Sequence, residues 1–370
     1  MRFPGIRGFA LLTAAVLGAG LGAAPSATAA ENPAATCSVA QQMITAGDYW
    51  VANGTNLAAN DWQNATFHVG NLALVRTTGV SNHKTLPWAE ANRYLLQTDP
   101  KTPYFPDFEA AGEAYLDLYT YFHPDPPILA DLRKRVDDEV ATVQQGKTSY
   151  WNYVDALNMA MPSFARIGVL DNNAADLAAM AKLFRYTEKQ AGGHGLFNEL
   201  TGLWYRDAHY VGTGTFWSRG NGWAISALAK VLQVLPASDP SRAEYLRVFK
   251  KMASTLRLVQ RPDGFWNSSL LNPFDHAGPE SSGTAMFTYG IAWGINAGIL
   301  DAARYQPTVT KAWNALSTKA LQPSGLVGYV QPVGGSPATA KKTDTAAYGV
   351  GAFLLAGQQV AKLTPACQPA

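Results

Sequence analysis

In the stretch SYWNYVDALNMAMP one carboxyl, Asp155, stands among Tyr150, Trp151, Tyr153, Met159 and Met161. Aromatic and thioether neighbours withhold water. A carboxyl so placed keeps its proton to a higher pH than usual, as a general acid working near neutrality must. A second carboxylate, Asp107, lies earlier in FPDFEAAGEAYLDLY. A third polar cluster, Trp217, Arg219, Asn221 and Trp223, opens the apolar segment FWSRGNGWAISALAKVLQVL, with Gly220 and Gly222 between its members. A helix start offers free N–H groups and a positive dipole end, and an arginine fork holds carboxylates bidentately. Two acids on separate segments with aromatic platforms fit glycoside chemistry. The arginine points to a sugar that carries a carboxylate, a uronic acid. Arg219 fits a structural ion pair with a neighbouring aspartate equally well, and residue types alone leave both roles open.

Such residues need a scaffold, and the chain repeats one. Six segments share a polar or aromatic opening followed by a Gly- and Ala-rich apolar run: NDWQNATFHVGNLALVRTTG, FPDFEAAGEAYLDLYTYF, YWNYVDALNMAMPSFARIG, FWSRGNGWAISALAKVLQVL, ESSGTAMFTYGIAWGINAGIL and TDTAAYGVGAFLLAGQQVAKL. Their starts recur about 45 to 65 residues apart, room for two helices and a loop. Between them lie ILADLRKRVDDEVATVQQG, ADLAAMAKLFRYTEKQAG, SRAEYLRVFKKMASTLRLVQ and QPTVTKAWNALSTKALQ, charged on one face and apolar on the other. NPAATCSVAQQMITAGDYWVANG and HKTLPWAEANRYLLQ complete the set less clearly. Six inner helices alternating with six outer ones predict an all-α, single-domain (α/α)6 toroid; an open solenoid would keep its ends apart. The inner openings converge on one mouth and bring Trp62, Asp107, Trp151, Asp155, Arg219, Ser282 and Thr284 towards each other. Asp61 and Asp344, each placed before an inner helix, read as N-caps.

Residues 1–30 read as a signal peptide, with Arg2 and Arg7 before FALLTAAVLGAGLGAA and small residues at a cleavage point after Ala29 or Ala30. The mature chain, residues 31–370, is expected to be secreted, free of the membrane and monomeric. Of 29 basic residues, removing Arg2 and Arg7 leaves 27, matched by 27 acidic ones. With no Lys/Arg blocks, nucleic acid is not an expected partner. The only cysteines, Cys37 and Cys367, flank the mature chain, and in an exported protein they are expected to form a disulfide. That bridge requires the termini to meet, as they do in a closed ring. The six histidines show no metal-ligand spacing; His194 and His209 read as loop residues, and no G-x-S-x-G elbow is present. No metal or cofactor is expected.

FWSRGNGW, VDALNMAMP, DFEAAGEAYLDLY, SSGTAMFTYGIAWGI and DTAAYGVGAFLLAG together resemble the signature blocks of the unsaturated uronyl hydrolases, glycoside hydrolase families 88 and 105, with family 105 the nearer of the two. The resemblance runs from about Asp61 to Gly357. It implies an (α/α)6 barrel that hydrates the C4=C5 double bond of a Δ4,5-unsaturated uronic acid at the non-reducing end of lyase-generated oligosaccharides. It places the acid/base role on Asp155 and the orientation of water and ring hydroxyls on Asp107, with Trp217, Arg219 and Trp223 at sugar-binding positions. Arg206, in GLWYRD, stands where many members carry a histidine; a subgroup resembles this chain there, and the neighbouring sugar and linkage stay open. Two other functions are compatible with the residues. One is a conventional inverting glycosidase using Asp155 and Asp107; the other is a non-catalytic carbohydrate-binding relative.

Overall fold

The computed structural model of the chain describes residues 37–54, 58–80 and 84–367. The leader expected over residues 1–30, with its cleavage site, lies outside them. Among the described residues twelve α-helices alternate between two roles. The outer ones are α1 (Ser38–Asn53), α3 (Thr85–Ala91), α5 (Ala130–Gln144), α7 (Ala174–Lys189), α9 (Arg242–Leu258) and α11 (Ala302–Ala315). The inner ones are α2 (Trp62–Thr78), α4 (Ala110–Tyr121), α6 (Ala156–Leu170), α8 (Ser218–Val234), α10 (Ser281–Asn296) and α12 (Ala347–Leu363). Each inner helix packs on the next, and α12 closes back on α2. The architecture is an (α/α)6 toroid.

Composition assigns the two rings. In α10 every residue from Ser281 to Ile295 is buried, so the helix has no wet face to supply with charge. In α9 the buried residues are Tyr245, Val248, Phe249, Met252, Ala253 and Leu256, a single stripe at helical spacing. Small residues let the inner helices close. Where α2 crosses α12, a Cβ on Gly70 would lie 2.4 Å from the carbonyl oxygen of Gly351, so any side chain there would push the ring open.

The ends of the ring are tied by a disulfide between Cys37 and Cys367, whose Cα atoms are 4.7 Å apart across 330 residues of sequence. In the chain-entropy view a loop this long stabilises the fold by at most about 6 kcal/mol. No helix among the described residues is long and apolar enough to cross a membrane.

Two elements differ from expectation. In HKTLPWAEANRYLLQ the helix described, Thr85–Ala91, stops short because Arg93 and Tyr94 turn left-handed at φ 54° and 55°. Tertiary contacts explain the break: the Leu96 N–H donates to Asp131 at 2.8 Å, and Tyr94 packs edge-on against Tyr115. Asp61 caps α2 as expected, accepting from the N–H groups of Gln63 and Asn64. Asp344 does not cap α12, which starts only at Ala347; its carboxylate instead closes a loop by accepting from the Lys341 N–H.

Candidate active site

Asp155 occupies the residue before α6, a capping position, yet its carboxyl accepts no N–H of that helix. It is buried, and burial pushes its pKa up against the opposing pull of the Arg206 and Arg219 charges. Arg206 Nε stands 3.3 Å from Asp155 Oδ2. The pair is not aligned as a hydrogen bond, and neither atom has another partner among the described residues.

A short hairpin delivers Arg206. Strands β1 (Phe197–Asn198) and β2 (Leu203–Trp204) pair antiparallel, and the chain runs on from β2 alongside the segment that carries Asp155. The Val154 N–H donates to the Arg206 carbonyl at 2.8 Å, and Tyr153 bridges Asp207. Arg206 Nη1 donates to Asp207 at 2.7 Å, and the guanidinium lies 5.0 Å from the Tyr153 ring centre.

Asp107 joins the same cluster from a different repeat. It sits in the 3₁₀ turn Pro106–Glu109, where Pro106 fixes the first backbone angle of the turn. The Tyr153 hydroxyl donates to Asp107 Oδ1 at 2.7 Å. Burial, helped by the charge of Asp155, raises the Asp107 pKa to about 6 despite the Tyr153 bond and Arg206. Tyr153 therefore links the two acids: its hydroxyl meets Asp107, and its face meets the arginine paired with Asp155. From sequence it counted only as an aromatic neighbour of Asp155; the link to Asp107 emerges from the fold. Half-buried Trp62 stacks on Tyr348 at 5.2 Å and provides an aromatic wall at the opening of α2.

Several residues expected to touch substrate also hold the scaffold together. Arg219 is 1% exposed. Its Nη1 donates to the Gln331 carbonyl at 2.6 Å and to the Tyr348 hydroxyl at 3.3 Å, and its Nη2 to the carbonyls of Pro332 and Gly334. It makes no ion pair with an aspartate among the described residues, and it fastens a loop. Trp217 is buried beside it, 4.6 Å from ring centre to guanidinium, with its indole N–H on Gln331 Oε1. Asn221 clamps the N–H and carbonyl of Trp204 and thereby holds the hairpin that leads to Arg206. Trp223 is buried, with Trp62 edge-on 6.2 Å away, and Trp151 is buried against Phe164. Ser282 donates to Glu280, which caps α10, and Thr284 accepts from the Trp266 N–H. Gly220 and Gly222 serve packing: a Cβ would meet Val154 at 3.0 Å in the first case and Met286 at 2.8 Å in the second.

The hub of this scaffold is Gln331, for which the sequence carries no local signal. Its side chain accepts from Trp217 and Ser268, and its N–H donates to Glu280. Among the described residues no three His, Cys, Asp or Glu side chains gather as a metal site. The candidate site thus gathers Asp155, Asp107, Tyr153 and Arg206, with Trp62 at the opening of α2 and Asn221, Arg219 and Gln331 bracing the segments around it.

A toroid with two carboxyls of raised pKa at its mouth defines a class of carbohydrate-active proteins, and comparison specifies which. The profile of Glycosyl Hydrolase Family 88 matches residues 36–364. The chain belongs to that family. A solved structure of a glycosyl hydrolase family 88 protein from Bacteroides vulgatus superposes with a TM-score of 0.82 at 34% identity, covering 88% of this chain and 99% of that one. A possible family 105 member from Salmonella enterica has a TM-score of 0.72 at 18% identity, covering 91% and 96%, a likeness of fold. Two proteins called unsaturated 3S-rhamnoglycuronyl hydrolase are each 38% identical. The one from Alteromonas sp. (strain LOR) aligns over 57% of this chain and 51% of its own length; the one from Formosa agariphila aligns over 59% of each. The chain therefore spans only about half the length of these relatives.

Proposed function

We propose that the protein hydrates the C4=C5 double bond of a Δ4,5-unsaturated uronic acid at the non-reducing end of a lyase-generated oligosaccharide, and so releases it. The observation that carries this reading is the coupling of buried Asp155 to Asp107 through Tyr153 and Arg206. Asp155, protonated, gives its proton to C4. Positive charge then develops at C5 and the ring oxygen, beside a carboxylate that has just formed. Water, directed by Asp107, adds to C5 and gives its proton to the Asp155 carboxylate, which yields a hemiketal and restores the acid. Ring opening makes C5 a ketone and leaves C1 as a hemiacetal, which collapses to an aldehyde and expels the remaining sugar. The relatives' shared name supports rhamnose as that neighbour.

The substrate carboxylate is assigned to Arg206 rather than Arg219. Arg206 keeps 30% of its side chain exposed, and its Nη2 has no partner among the described residues. Arg206→Lys preserves charge but loses the planar fork. KM should rise about tenfold or more, the worth of one charge-assisted hydrogen bond, while the melting temperature barely moves. An unchanged KM would remove Arg206 from the binding site.

The reaction itself is tested with a panel of lyase-generated oligosaccharides, followed by loss of the ultraviolet absorbance of the conjugated double bond, beside a saturated chromogenic glycoside. Turnover of the panel and none of the saturated compound is expected. The reverse pattern would establish an ordinary inverting glycosidase, and no turnover of either a binding protein. Export is proposed as well; the Cys37–Cys367 bridge supports it, because such bonds persist in oxidising compartments.

A further inference from the structure

At the end of the toroid opposite the mouth, all six inner helices line a cavity of about 460 Å³. Arg166 follows Asp155 by eleven positions along α6, which places this cavity roughly 16 Å further down the axis. None of its lining residues belongs to the cluster around Asp155. The volume is within the range of small-molecule sites, about 300–1,000 Å³.

Its charges do not balance. Four cations, Arg76, Arg166, Lys230 and Lys362, face two carboxylates, Glu113 and Asp117. Asp117 is shared between Arg166 at 2.6 Å and Arg76 at 3.5 Å. Glu113 is taken by Lys230 at 2.7 Å. Lys362, in the last turn of α12, has no acceptor among the described residues, and burial together with the charge of Arg76 pushes its pKa down. The carbonyl ends of the helices favour cations there, which explains how the excess is tolerated but does not neutralise it. Tyr289 and Gln358 add hydroxyl and amide groups to the wall.

We propose that this basal cavity binds an oxyanion carrying two negative charges, either as a free ion or as the charged substituent of a sugar. Lys362 and Arg76 supply the uncompensated charge, Arg166 a further fork, and the aromatic and amide groups room for hydroxyls. This site is separate from the hydration reaction and does not depend on its assignment.

The test titrates the full chain with inorganic phosphate, glucose 6-phosphate and glucose at constant ionic strength, by calorimetry. Saturable binding of phosphate is expected, and glucose should give none. Phosphate should also slow acylation of Lys362. Equal affinity for the two charged probes identifies the free ion as the source, and tighter binding of glucose 6-phosphate identifies the anionic sugar. Lys362→Gln and Arg76→Gln should each weaken binding at least about tenfold while turnover at the mouth stays unchanged. No saturation by either charged probe, binding of glucose as strong as that of its phosphate, or affinity untouched in both variants would overturn the proposal.

Discussion

Asp155→Asn is expected to yield a folded protein that still binds unsaturated oligosaccharide but hydrates it at least about a hundredfold more slowly. Carbon accepts protons slowly, so a vinyl ether needs an acid held close to C4 and an anion left behind when C5 becomes cationic. One aspartic acid meets both needs. Asparagine keeps the shape and the neighbourly contacts but has no proton to give. Because positioned acid–base groups contribute about 10²–10⁴ in rate, a residue used twice belongs near the upper end. Turnover in D₂O should place deuterium at C4 of the released keto-sugar in the unaltered enzyme. Near-normal kcat in the variant would move the acid elsewhere.

The pH profile carries the same assignment further. Asp107 has its pKa raised to about 6, and Asp155 is raised by burial. The active form needs Asp107 ionised and Asp155 protonated. kcat/KM should therefore follow a bell whose two limbs belong to the pair rather than to either acid alone. In Asp155→Asn the bell should reduce to a single limb, and the Asp107 pKa should fall because the neighbouring charge is gone. Stability should instead change in one direction. A carboxyl with a folded pKa above its unfolded one binds its proton more tightly when folded. The stability it contributes is complete below the unfolded pKa and is lost as pH rises through the folded pKa. Asparagine avoids that buried charge, so the variant should be no less stable at neutral pH, a trade-off common where function strains a site.

How much was legible follows from where each signal resides. The toroid could be read because burial on all sides imposes the same Gly- and Ala-rich composition on all six inner segments. The acids could be read because Asp155 is bracketed by its own desolvating neighbours in sequence. The break after Ala91 could not, since ANRYLLQ is locally a fair helix and the contacts that end it come from Asp131 and Tyr115. The same limit applies to FWSRGNGW. Its residue types mark a special site, but whether Arg219 faces a ligand or a loop depends on Gln331, more than a hundred residues away. Gly335 belongs to that loop, and a Cβ there would meet the Arg206 guanidinium at 3.2 Å. Arg219 thus bears on the site through the loop it fastens, as a positioning residue.

Arg219→Lys separates these two roles. A buried guanidinium that serves Gln331, Pro332 and Gly334 and lies against the rings of Trp217 and Tyr348 cannot be copied by an ammonium, which reaches one or two of those acceptors and does not stack. Carbonyls left without a donor in a buried site cost about 1–3 kcal/mol each when unrelieved. The expected loss of stability is about 2–4 kcal/mol, seen as a melting temperature lower by roughly 4–10 °C. KM should rise only as far as the loosened loop lets Arg206 drift. Arg206→Lys should show the opposite signature, with KM raised and melting unchanged. If Arg219→Lys instead melts like the parent and only KM suffers, the guanidinium holds substrate after all, and the loop carbonyls have other partners when the ligand is bound.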